Sequence, residues 1–110
     1  MKTHMLLCPA LGVRVTVDRE DSELGHAYLY ILKNDQHTEP FGLVEDVFVE
    51  EAARGQGVGR ELLRALIEEA KKRGCYKLIA TSRHGRDDVH AWYQRLGFRD
   101  HGIEFRMDFS

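Results

Sequence analysis

The sequence predicts an α/β (α+β) fold: one mixed, mostly antiparallel sheet with two main helices, with residues 1–110 as a single domain. Three observations predict it. Val13, Val15 and Val17 alternate with Arg14, Thr16 and Asp18, which is the period of a half-buried strand. From Val58 the pattern changes, and Leu62, Leu63, Leu66, Ile67 and Ala70 recur at helical spacing. KLIATS, Lys77 to Ser82, then reads as a strand again, and a strand–helix–strand unit places its two strands parallel.

In order along the chain, GVRVTVD from Gly12 to Asp18 is the first strand and REDSELG a polar turn. HAYLYILK from His26 to Lys33 is aromatic and β-branched enough for a second strand. NDQHTEP is a loop and FGLVEDVFVE, Phe41 to Glu50, a third strand. Connections this short favour an antiparallel meander. The long helix carries two i,i+4 pairs in the favourable order, Glu68 with Lys72 and Glu69 with Arg73, and Gly74 is its natural stop. After the strand at Lys77, RHGRDD is a loop in which Asp87 or Asp88 would cap a short helix. Val89, Trp92, Tyr93 and Leu96 form that helix's apolar stripe, and Gly97 ends it. FRDHGIEFRMDF then supplies one or two closing strands around Gly102.

Composition limits the function classes. A chain that is 43% hydrophobic and 31% charged folds as a globular domain. A formal net charge of −2 leaves no broad basic footprint, so nucleic acid is not an expected partner and any anion site is local. Cys8 and Cys75 are far apart and in no metal-ligand spacing. They read as reduced thiols of a cytoplasmic protein, with no metal. MKTHMLLCPALG has an apolar patch too short for an export signal, and no apolar run approaches the roughly 18–20 residues that span a bilayer.

RGQGVG, Arg54 to Gly59, lies between the third strand and the long helix. A helix entrance presents unpaired N–H groups and partial positive charge, and glycine admits a ligand to the backbone. With Arg54 and Arg60 flanking it, the segment reads as a phosphate cradle, or else as a tight connection that needs close helix–strand packing. It is not a Walker A loop, lacking the Lys-Ser/Thr pair. Nor is it a dinucleotide fingerprint, because Arg60 stands where the third glycine belongs.

Taken together, VFVEEAARGQGVGRELL and HAWYQRLGF resemble the GNAT superfamily of N-acetyltransferases. Arg54, Gly57 and Gly59 match its Q/R-x-x-G-x-G/A positions, and Tyr93 matches the tyrosine of its later helix. The resemblance implies a three-layer fold and acetyl transfer from acetyl-CoA to a primary amine by direct attack in a ternary complex. It implies a pyrophosphate grip formed by Arg54, Gly55, Gln56, Gly57, Val58, Gly59 and Arg60. It further implies a bulge in the third strand whose freed backbone at Val47, Phe48 and Val49 meets the pantetheine arm and the acetyl carbonyl. Arg86 occupies the position where the family often has a cofactor-contacting asparagine, and an arginine there would meet a phosphate.

Acetyl transfer to an amine needs a base, because an alkyl ammonium cannot attack, and an acid for the departing thiolate. Glu45 lies nine positions before Arg54, where some members of the family place a carboxylate, and the resemblance makes it the expected base, with Asp46 in reserve or water as a relay. In a regular strand only one of these neighbours can face the cleft. Tyr93 alone on a helical stripe would read as core; in the context of the family motif it is the expected acid. His90 shares its helix face and reads as a capping or surface histidine.

Family members carry two helices between their first and second strands, and this sequence has no room for them. The acceptor cleft is therefore expected to be open or completed by a second subunit, and a homodimer would also cover an exposed sheet edge. The acceptor is a small-molecule or peptide amine. The alternatives are a non-catalytic acyl-CoA-binding module, or a structural or interaction domain without cofactor.

Overall fold

The structure, a computed structural model, describes residues 1–110. By contacts it divides into two compact units, Met1–Ala80 and Thr81–Ser110.

The first unit holds the sheet. Strands β1 (Ala10–Arg19), β2 (Ser22–Leu32) and β3 (Phe41–Val49) form the expected antiparallel meander. β4 (Leu78–Ile79) adds in parallel beside β3, giving the order β1-β2-β3-β4. β1 and β2 are joined by two residues, the first of which, Glu20, takes a left-handed φ of 55°. The strand expected over Lys77–Ser82 is reduced to its centre, because the ladder on β3 consists of Gly42 opposite Leu78 and Leu43 opposite Ile79. Gly42 permits this approach: a Cβ there would lie 2.8 Å from the Leu78 Cδ1.

α1 (Val58–Lys72) packs across β1, β2 and β3. Its buried residues are Val58, Leu62, Leu63, Leu66 and Ala70, the stripe the spacing predicts except for Ile67, which lies at its margin and is half-buried. They meet Ala27 and Leu29 of β2 and Val44 of β3 to complete the core with Ala53, and no polar or charged side chain is buried. Leu29, Leu62, Leu63 and Leu66 are the largest fully buried side chains. Each contributes about 1.5–3 kcal/mol by leaving water. Gly25 lies under this helix; a Cβ there would come within 2.8 Å of the Phe48 carbonyl oxygen and 2.9 Å of Val58 Cγ1.

Of the two predicted helical ion pairs, Glu69–Arg73 forms at 2.6 Å. Glu68 instead pairs with Arg64 at 2.7 Å, and Arg64 also holds Glu61. Gly74, with φ 76°, ends the helix: its N–H donates to the Lys71 carbonyl and the Cys75 N–H to that of Ala70. Both cysteines are free thiols, and partial burial pushes that of Cys75 up.

The second unit contains α2 (Asp87–Arg95) and irregular chain. Arg86, not Asp87 or Asp88, is the N-cap, and no side chain caps the helix. The two aspartates occupy its first turn instead, where the helix dipole favours them. The closing strands expected around Gly102 are absent, and Arg99–Ser110 is neither helix nor strand. Ile103, Phe105, Met107 and Phe109 do alternate, but all are exposed and no strand pairs with them. Alternation without a ladder partner does not make a strand.

Candidate functional site

The glycine segment enters α1 through a backbone that only glycine adopts cheaply. Gly55 has φ 78° and Gly57, the N-cap, φ 86°. A Cβ at either would meet nothing within 4 Å. Backbone sign, not crowding, therefore selects glycine there, and the space beside both residues is open. No side chain caps α1, and its first intrahelical bond runs from the Glu61 N–H to the Gly57 carbonyl at 3.0 Å. The N–H groups of Val58, Gly59 and Arg60 therefore have no acceptor within the helix.

The side chains around them divide into anchors and a free cation. Arg54 Nε donates to the Val49 carbonyl at 3.3 Å. Gln56 Nε2 donates to the Ala52 carbonyl at 3.1 Å, while its Oε1 accepts from Arg19 at 3.2 Å. Val58 turns its side chain into the core, leaving only its backbone for a ligand. Arg60 is exposed, and no hydrogen bond or ion pair holds its side chain. Uncapped N–H groups, open space and an unpaired guanidinium suit a phosphate.

β3 carries the second part. His26 pairs with Phe48 and Tyr28 with Glu45, so Asp46 and Val47 together stand opposite Ala27. This is a β-bulge, and its first residue, Asp46, has a φ of 49°. Aspartate is among the few residues other than glycine that tolerate this region. The alternation rule assigned Glu45 and Asp46 to opposite faces. The extra residue breaks that rule, and Glu45 and Phe48, three apart in sequence, lie on the same face of the sheet. β4 stops pairing at Leu43, so the far edge of β3 from Val44 to Val49, which includes Val47, Phe48 and Val49, has no strand partner.

On the face away from α1 the bulge forms one wall of an open depression of about 530 Å³, lined by His26, Tyr28, Asp46, Val47 and Phe48. Glu45 is half-buried opposite Tyr28 and outside this lining. The Asp46 carboxylate is exposed and has no hydrogen bond or ion pair. Behind the depression runs a network that sequence reasoning missed. Arg14 grips Glu23 with two bonds, of 2.8 and 3.0 Å, and its Nε donates to the Tyr28 hydroxyl at 3.2 Å. Glu23 also meets His26 Nδ1 at 3.2 Å. The Arg14 guanidinium holds the Glu23 carboxyl below the usual carboxylate range, and Glu23 in turn holds Arg14 above its usual value. The His26 ring packs against Tyr28 and Phe48 with centroids 5.9 and 5.4 Å away. The period-two run of His26, Tyr28 and Tyr30 was a visible signal, but only the register brings Arg14 and Phe48 to it.

In the second unit, Tyr93 is half-buried on α2. Leu96 closes the helix, Gly97 has φ 106°, and the Gly97 and Phe98 N–H groups donate to the Gln94 and Tyr93 carbonyls. This terminal motif folds Phe98 back so that its ring meets Tyr93 edge-on at 5.3 Å, while the Trp92 ring, tilted, lies 5.3 Å from Tyr93 as well. The Leu-Gly-Phe sequence thus fixes the setting of the phenol. Arg86 Nε lies 3.4 Å from Asp88 Oδ1 and holds that carboxyl below its usual range. His90 Nε2 meets the Arg83 carbonyl at 2.9 Å, tying the preceding loop to the helix. No three His, Cys, Asp or Glu side chains come together where they could hold a metal ion.

The family model described as acetyltransferase (GNAT) matches residues 7–98. The chain belongs to this family.

Among its relatives, this GNAT chain is 41% identical over 68 residues to the probable glucosamine 6-phosphate N-acetyltransferase 2 of Oryza sativa subsp. japonica, covering 62% of this chain and 39% of that one. It is 33% identical over 104 residues to the aminoglycoside N(6')-acetyltransferase type 1 of Stenotrophomonas maltophilia, covering 93% of this chain and 64% of the relative. The chain therefore spans less than two thirds of the length of these curated relatives. Among solved structures, a Trypanosoma brucei acetyltransferase superimposes with a TM-score of 0.80 at 32% identity, over 89% of this chain and 69% of the other. No helix of this GNAT chain is long and apolar enough to cross a membrane.

Proposed function

We propose that this GNAT chain is an acetyl-CoA-dependent N-acetyltransferase that acts on a primary amine. The observation that carries the proposal is the uncapped, glycine-turned entrance of α1, which follows directly on a β3 whose far edge is unpaired. The entrance suits the pyrophosphate of CoA: backbone N–H groups of Val58, Gly59 and Arg60 supply donors, and the Arg60 side chain supplies charge. Arg54 serves by holding the segment to the end of β3. The unpaired edge of Val47, Phe48 and Val49 suits the amide-rich pantetheine arm, which would satisfy backbone groups that otherwise need water. Arg86 remains available to a phosphate through its exposed guanidinium, in competition with Asp88.

Bound acetyl-CoA supplies an activated thioester. The chain's residues must position it, relieve the acceptor of a proton and return one to the leaving sulfur. Tyr93 is proposed as the proton donor, on the strength of the family motif and the ring setting formed by Trp92 and Phe98. The names of two relatives refer to amino sugars, glucosamine 6-phosphate and aminoglycosides, and an amino-sugar amine is accordingly the first acceptor to try.

The test is calorimetric titration with CoA, followed by thiol release from acetyl-CoA over a panel of glucosamine 6-phosphate, kanamycin and lysine. CoA binding with amine-dependent thiol release is the expected result. Binding without release from any amine would leave an acyl-CoA-binding module, and no binding would reject the reading. Tyr93→Phe is expected to lower kcat by about 100-fold with little change in CoA affinity. Unchanged turnover would remove Tyr93 from the chemistry.

A further inference from the structure

We infer that His26 is the group that takes the proton from the acceptor amine, oriented for that task by Glu23 and Arg14. The inference rests on the acetyl-transfer reading and adds a residue to it that the family motif does not name.

The geometry carries it in three steps. Glu23, ionised by its two bonds to Arg14, can only accept, so its contact with His26 Nδ1 at 3.2 Å places the ring proton of the neutral imidazole on Nδ1. Nε2 then carries the lone pair, and no protein group bonds to it. His26 lines the depression beside the β3 bulge, whereas Glu45 does not. The charged and titratable groups around the ring are Arg14 and Asp18 from β1, Glu23 and Tyr28 from β2, and Glu45 and Asp46 from β3. Asp18 is engaged by the Thr16 hydroxyl at 3.1 Å, and Arg14 is committed to Glu23 and Tyr28. An imidazole is in general better matched than a carboxylate to deprotonating an ammonium near neutral pH.

The step balances. The acceptor ammonium gives one proton to His26 Nε2, and the freed nitrogen lone pair forms a C–N bond with the thioester carbonyl carbon. The C–S bond breaks as the nitrogen gives up its second proton, and the sulfur leaves with its electron pair and takes up one proton, so that these two transfers cancel. The imidazolium later releases the first proton to solvent, which is the one net proton of the reaction. Glu23, in contact with Nδ1, keeps the ring in one orientation while Nε2 carries the proton.

Two measurements test the inference, one of them independent of turnover. Nitrogen NMR of the histidine rings in the full chain is expected to show His26 as the Nδ1–H tautomer, reverting toward Nε2–H in Glu23→Ala. An Nε2–H ring in the unsubstituted protein would overturn the inference. In the second, kcat/KM is followed against pH with the fastest amine of the panel named above. His26→Gln is expected to lose about 100-fold and the acid-side limb of the profile, with CoA affinity within twofold. Glu23→Ala should lower kcat/KM while the Tyr93 dependence and CoA affinity stay as they are, because the ring loses the carboxylate that orients it. A His26→Gln profile that keeps its limb, or a limb abolished by Asp46→Asn instead, would overturn the inference while acetyl transfer stands. If CoA does not bind and no amine is acetylated, both readings fall.

Discussion

Two faces of one strand divide the work of the first unit. Along β2, Gly25, Ala27 and Leu29 are buried beneath α1, while His26, Tyr28 and Tyr30 look the other way. The inner face holds only small and apolar groups and was complete once α1 supplied its leucines. The outer face has no helix of this unit over it. It carries an Arg14–Glu23–His26–Tyr28 network built wholly from half-exposed side chains. Because side chains alternate, neighbouring positions can answer to different demands. Stability is set on one face and chemistry is free to vary on the other.

Substitutions on the two faces put this division to the test. The largest expected effect is Leu29→Ala, which leaves a cavity under α1 and should cost about 2–5 kcal/mol in urea unfolding. Tyr30→Ala, one residue away on the outer face, should cost well under half of that. Equal losses would end the distinction between the faces. Gly25→Ala is expected next, at about 1–3 kcal/mol, since the new methyl meets the Phe48 carbonyl and cannot be moved aside like a flexible side chain. Gly57→Ala should cost about 1–2 kcal/mol, because a Cβ is disfavoured at φ 86° even though the space is open. The same variant should weaken CoA binding in calorimetry. His26→Gln should leave the unfolding midpoint nearly unchanged while turnover falls, which separates the outer face from folding.

The smallest effect is a pH dependence. Glu23 has a lowered folded-state pKa, so its contribution is present above the ordinary carboxyl range and is lost as the pH falls through the folded value. Glu23→Gln should therefore flatten the slope of stability against pH on the acid side. Leu29→Ala should lower the whole curve without changing that slope.

Much of this was legible because it is periodic. Val13, Val15 and Val17 announced β1, and Leu62, Leu63 and Leu66 announced the buried stripe of α1. Gly74 and Gly97 marked both helix ends. Gly55 and Gly57 were legible as special, though the reason is the sign of φ rather than crowding. Failures came where a partner decides the outcome. Ile103, Phe105, Met107 and Phe109 have a strand's alternation but no ladder, and KLIATS keeps only the two residues that β3 accepts. The bulge was expected from family likeness, but no residue-level rule placed the extra residue at Asp46. The outer network needed the β1–β2 register, since Arg14 and Tyr28 lie fourteen positions apart and pair directly.

The extra residue in β3 is a spare part as far as folding is concerned. Removing Asp46 would leave Val47 alone opposite Ala27, with Glu45 still facing Tyr28 and Phe48 still facing His26. Every inward residue would stay inward, and the strand would simply run straight. A single-codon deletion is therefore expected to yield a well-folded protein that has lost the wall of its depression. Few sites allow function to be excised from a domain while its architecture is left in register.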